Sequence, residues 1–223
     1  MGKKTRKNKR GGGYPEDTAL IKAVSGGDLK STIAALDRGA NPNAAYEKTI
    51  LNYAFQHSGP DRNNIVYALI TGGASLNKKS KWSENYPLAD AVHTDDPKLV
   101  QLLIELGAPI DSPGSEGGTA LYWALDNMPL EDTTTPSALK IRDIIILLLK
   151  HGADPQRVYD SLAKYPSAVA EIRKKVEPIQ AKIALFKEIP ILPGIGLEYQ
   201  KAKERFEGTT GGRHRRLRKT RKV

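Results

Sequence analysis

The chain repeats itself. Gly-Ala followed by a small or turn-forming residue stands at Gly39-Ala40-Asn41, Gly73-Ala74-Ser75, Gly107-Ala108-Pro109 and Gly152-Ala153-Asp154. The first three copies are 34 residues apart, and the step to the fourth reads as the same unit carrying an insertion. A period of this size marks an array of small supersecondary units, none of which buries its apolar face alone. The core of such a chain is a line of interfaces between neighbours, so its 223 residues do not translate into a domain count in the usual way.

A second marker lies upstream of each Gly-Ala. It reads Thr18-Ala19-Leu20-Ile21-Lys22-Ala23, Thr49-Ile50-Leu51-Asn52-Tyr53-Ala54, Tyr86-Pro87-Leu88-Ala89-Asp90-Ala91 and Thr119-Ala120-Leu121-Tyr122-Trp123-Ala124. The Leu and Ala, three apart, share one face of a helix, and Thr or Tyr at the start offers a cap or a packing group. A second apolar helix follows, plainest in Leu99, Val100, Leu102, Leu103, Ile104 and Leu106 and again in Ile144 to Leu149. Gly-Ala then ends it, with Gly supplying the left-handed backbone that terminates a helix. The period alone admits ankyrin or tetratricopeptide arrays. The paired markers resemble the Thr-Pro-Leu-His-x-Ala signature of the ankyrin family, degenerate in every copy, over residues 15–155. That resemblance implies an all-α solenoid of helix-turn-helix units acting through protein–protein contacts.

Beyond Pro155 the markers do not return, while Val158, Leu162, Val169, Ile172 and Val176 keep helical spacing. The expected organisation is a basic tail over 1–13, ankyrin repeats over 14–155, a helical cap with a Pro/Gly-broken extension over 156–208, and a second basic tail over 209–223. The cap shields the last interface, as a terminal repeat must.

The formal charge of +10 belongs to the tails. Lys3, Lys4, Arg6, Lys7, Lys9 and Arg10 crowd one end, and Arg213, Arg215, Arg216, Arg218, Lys219, Arg221 and Lys222 the other, with no acid among them. Removing these thirteen leaves 22 basic against 25 acidic residues, a body of net charge −3. Like-charged, Gly-hinged segments of this kind do not bury enough surface to fold. Three roles stay open for them: a solvated extension, an import signal, or a sequence-blind, salt-sensitive grip on nucleic acid or another polyanion. The Gly-Gly and Lys-Thr-Arg-Lys runs at the two ends also resemble proteins of large double-stranded DNA viruses, which implies a viral protein engaging host partners.

Composition narrows the function classes. Without cysteine there is neither disulfide nor thiolate metal site, and the longest apolar run, Ile144 to Leu149, is far short of the roughly 20 residues of a bilayer span. We expect a protein of the cytoplasm or nucleus, with no cofactor and no metal. Catalysis has little support: there is no phosphate-cradling Gly-rich loop and no His-Glu-x-x-His, and the four histidines are scattered. Asp95-Asp96-Pro97 reads as a helix start rather than a carboxylate pair.

Partner-binding residues are expected where repeats project. Asn77 to Asn85 sets Lys78, Lys79, Lys81 and Trp82 in a solvated connection that ends at Asn85. Trp82 has two readings, an interface anchor or a group folded back on the neighbouring repeat. Trp123, inside a first helix, reads as packing. His57, His93 and Thr94, at first-helix ends, complete the expected site, all on one concave side. The extra segment Asn127 to Lys140 reads as an exposed loop.

Overall fold

A computed structural model describes residues 15–44, 48–129 and 134–185, the side chains of 182–185 excepted. The basic tails, with all thirteen cations assigned to them, and the stretch beyond 185 lie outside the described residues.

Among the described residues, ten α-helices form two layers. The first layer holds α1 (Pro15–Ser25), α3 (Ile50–Gln56), α5 (Pro87–Val92), α7 (Ala120–Asp126) and α9 (Pro155–Ser161), each packed on the next. The second holds α2 (Leu29–Asp37), α4 (Arg62–Thr71), α6 (Pro97–Glu105), α8 (Pro136–Lys150) and α10 (Pro166–Leu185). Each first helix leads into its own second helix, so the chain advances one helical pair at a time. First helices of six or seven residues are too short to persist alone, and their order comes from packing. The recurring Leu/Ala pairs supply it: Leu51 and Ala54, Leu88 and Ala91, and Leu121 and Ala124 are all at most 1% exposed. One apolar core runs without a break from Leu20 to Ile179.

The Gly-Ala marker works as the chemistry requires. Gly39, Gly73, Gly107 and Gly152 have φ between 87° and 102°, and the following Ala donates its N–H five residues back, to Ala35, Leu69, Leu103 and Leu148. This is a Schellman end, and each of the four alanines is buried, which explains the small residue after the glycine. Caps at the other ends are uneven. Thr49 and Thr119 accept from the N–H groups of Asn52 and Tyr122, and Thr49 completes a capping box with Asn52. Tyr86 holds the cap position of α5 without a side-chain bond, and Pro87 opens that helix. Thr18 departs from expectation: α1 already runs from Pro15, so Thr18 is a solvent-facing residue of the helix and not its cap. Asp96 caps α6 through Lys98 and Leu99 N–H groups, and its other oxygen takes Arg62 of α4.

The insertion also differs from its expected form. Pro136 to Lys140 begin α8, capped by Thr135, so the extra residues lengthen a second helix to 15 residues and leave a shorter connection. Proline at the first helical turn favours that helix start instead of breaking it.

Candidate interaction face

The first helices α3, α5, α7 and α9 each have two edges, one at the hairpin connection that enters the helix and one where the chain leaves it for the second layer. At the hairpin edge neighbouring units are fastened by side chains that accept backbone N–H bonds from the connection that follows. Asp17 takes Asn41 N–H, Asn43 takes Ser75 N–H at 2.8 Å, and Asp111 takes Asp154 N–H at 3.1 Å. All three donors stand two residues after the helix-ending glycine. In the remaining unit that place is Pro109, which has no N–H to give. There the fastener moves: Asn85 Oδ1 accepts Ser115 N–H at 2.9 Å.

That bond corrects the expectation for Asn85. It is 5% exposed, and its amide oxygen is bonded to the following hairpin. Its neighbours stand outside. Trp82 is 60% exposed, and the Lys48 ammonium lies 4.4 Å from its ring centroid, a cation–π contact that leaves much of the indole free. Lys78, Lys79 and Lys81 are exposed. Lys78 Nζ donates to the Asn43 carbonyl at 3.0 Å, and Lys79 Nζ sits 5.3 Å from the Tyr86 ring.

The loop that carries Trp82 is closely determined. Ser80 N–H donates to the Asn85 carbonyl at 3.0 Å, Glu84 N–H donates to the Ser80 carbonyl at 2.9 Å, and Trp82 N–H reaches Ser80 Oγ. Ser83 Oγ donates to Asp90 Oδ2 at 3.0 Å, and the same oxygen receives Asn52 Nδ2 at 2.6 Å. Asp90 thus ties the loop to α3 and α5. Burial pushes its carboxyl up from the ordinary range, against the Asn52 and Ser83 hydrogen bonds that favour the charge.

At the turn edge each of the expected site residues makes contacts within the protein. His57 fills a slot between Gly27 and Gly59, neither of which has room for a Cβ beside the ring, and Gly27 has φ 68°. His93, though exposed, lies 5.4 Å from the Trp123 ring and meets the Asn127 amide at Nδ1. Thr94 Oγ1 donates to the Ala91 carbonyl at 2.7 Å. Trp123 packs edge-on to Tyr122 and against the core. Lys175 of α10, its side chain 8% exposed, donates to the Leu125 carbonyl at the end of α7 and closes the row. His57, His93 and Thr94 are therefore separated from Trp82 and the lysines by the length of a first helix, about 9 Å for the six residues of α5. They form one site along the chain but two in space.

No family model matches the chain. It is 31% identical over 143 residues to ankyrin repeat and SOCS box protein 6 of Homo sapiens, an alignment covering 61% of this chain and 31% of that protein. The Pongo abelii counterpart gives the same figures. Human 2-5A-dependent ribonuclease is 37% identical over 82 residues, 37% of this chain and 10% of the enzyme. The fold is an ankyrin-repeat solenoid. The chain spans less than a third of the length of these relatives, and none of the three is viral. Among the described residues, no group of His, Asp or Glu is arranged to hold a metal ion, and no helix is long and apolar enough to cross a membrane.

Proposed function

We propose that this protein is a non-enzymatic adaptor that holds a protein partner, inside the cell, on the hairpin edge of its ankyrin repeats around Trp82. One observation carries the reading: a tryptophan, 60% exposed, stands on a loop held by hydrogen bonds at Ser80, Trp82, Ser83, Glu84 and Asn85. A large apolar group costs solvation wherever it is exposed, and a pinned loop has little conformational entropy left to lose on binding. Tryptophan in such a setting suits an interface anchor. Lys78, Lys79 and Lys81 form its rim, and His57, His93 and Thr94 support the stack from the opposite edge. Likeness to ankyrin repeat proteins supports protein binding in general, and the ribonuclease alignment is too short to carry its chemistry across. The viral resemblance of the two ends gains nothing from these relatives, and the adaptor reading does not depend on it.

Trp82→Ala should cost about 2 kcal/mol of partner binding, roughly thirtyfold, with the melting temperature nearly unchanged. Partners captured by the full chain from its native cells provide the assay. Lost stability with binding intact would move the interface away from Trp82. The alternative role, a polyanion grip, rests on the thirteen tail cations and separates cleanly. It predicts binding that collapses between about 50 and 200 mM salt and on deletion of both tails, whereas the adaptor keeps its partner.

A further inference from the structure

Resting on the adaptor reading, we infer that the occupant of the Trp82 face is an acidic peptide segment that places an apolar side chain on the indole and carboxylates on Lys48, Lys79 and Lys81. The charge pattern points there. Lys48 lies over Trp82, Lys79 lies over Tyr86, Lys81 precedes Trp82 in the chain and Lys78 stands on the same connection, and among the described residues none of the four is ion-paired. The body of the chain carries a net charge of −3, so this cluster runs against its surroundings. Along the same row of hairpins the sign reverses, to Asp111 and Glu116 in the next connection and Asp154 beyond it. A field that changes sign along an edge orients an extended ligand as well as attracting it.

The two aromatic contacts fit this role. Lys48 and Lys79 rest against Trp82 and Tyr86 by cation–π attraction, worth about 0.5–1 kcal/mol at an exposed site. A ligand carboxylate replaces that weak contact with a charge-assisted bond, and the ring beneath is uncovered for an apolar neighbour. Lys78 differs, since its ammonium already secures the Asn43 carbonyl, and it belongs to the scaffold of the loop.

The test measures fluorescence anisotropy of a labelled peptide of alternating Glu and Leu around one Phe, titrated with the full chain. Tails are the same in every variant, so differences report the hairpin. Lys79→Glu/Lys81→Glu should weaken binding at least tenfold, Trp82→Ala by a similar factor, and the peptide with every Glu replaced by Gln should bind wild type at least tenfold more weakly. In a Trp123→Phe background, whose lost indole N–H makes no hydrogen bond among the described residues, the Trp82 emission should shift to the blue on peptide addition. Melting temperatures verify that each variant folds, and Lys79→Gln/Lys81→Gln, with a smaller loss, repeats the measurement without charge reversal. If the Gln peptide binds as tightly as the Glu peptide while Trp82→Ala still abolishes binding, the face is right and the acidic assignment is wrong. If a single-stranded oligonucleotide binds this face more tightly than the peptide, and Lys79→Glu/Lys81→Glu removes it, the occupant is nucleic acid and the inference falls. Binding indifferent to Trp82→Ala would overturn the inference and the adaptor reading together.

Discussion

The two edges of the first-helix layer use the same residue types in opposite ways. At the turn edge, Trp123 meets His93 in a tilted ring contact, His57 fills a gap between two glycines, and Lys175 places its ammonium on a helix-end carbonyl. These three groups are engaged across a repeat boundary. At the hairpin edge the boundary is held instead by small acceptors, Asp17, Asn43, Asn85 and Asp111, bonded to backbone N–H groups. Because these bonds need only short side chains, the long ones, Trp82 and its lysines, are released to solvent. An edge fastened through its backbone has side chains to spare for a partner, and an edge fastened through its side chains does not.

The comparison breaks most readily at the tryptophans. Trp123→Ala removes a half-buried ring and its contact with His93, and should cost about 3 kcal/mol of unfolding free energy in a denaturant titration. A loss below about 1 kcal/mol would mean that the turn edge is not held by its aromatic residues.

Asp90 comes next. Asp90→Ala strands the buried Asn52 amide and unties Ser83, for about 2 kcal/mol. Asp90→Asn keeps an acceptor for both donors and discards the buried charge. Because burial raises the folded carboxyl above its unfolded value, the folded state holds the proton to higher pH. Stability from this site is therefore greatest below the ordinary carboxylate range, near pH 4, and declines as pH rises through that range to the folded pKa. Asp90→Asn should flatten that decline and match or exceed wild type at neutral pH. A variant that keeps the wild-type slope would assign the decline to another group.

Smaller effects belong to the fasteners. Asn85→Ala deprives the Ser115 N–H of its acceptor and should cost about 1 kcal/mol, with hydrogen exchange accelerated at Ser115 in particular. Unchanged protection there would show that water serves the amide equally well. Trp82→Ala should change stability by no more than about 0.5 kcal/mol, the smallest effect of the series, because the ring makes one exposed cation–π contact and covers little else. The contrast between Trp82 and Trp123 is then the sharpest measure of the two edges.

Much of this was legible as a pattern and little of it as a site. Gly-Ala announced its helix end because the left-handed glycine and the buried alanine are local needs, satisfied within six residues. Leu and Ala three apart announced the inner face for the same reason. Trp123 read correctly as packing because it stands within a helical period. Asn85 did not read correctly, since nothing near it in the chain shows that Pro109, 24 residues later, withholds the N–H that the other units use. Nor did Lys48, which meets Trp82 only across a repeat boundary. The start of α8 at Pro136 was hidden by composition, where prolines and threonines read as loop although Thr135-Pro136 also makes a sound helix start.

The sequence by itself determined the unit: two helices, their apolar faces, the glycine that ends each pair and the period at which the pattern recurs. These follow from backbone sterics and helical geometry acting over a few residues, and they need no partner element to be read. Only the tertiary structure decided which exposed groups are spoken for. The offset with which one unit sits on the next sets which side chain meets which amide some 30 residues away, and so fixed Asn85, His57 and Trp123 as parts of the stack while leaving Trp82, Lys79 and Lys81 facing water.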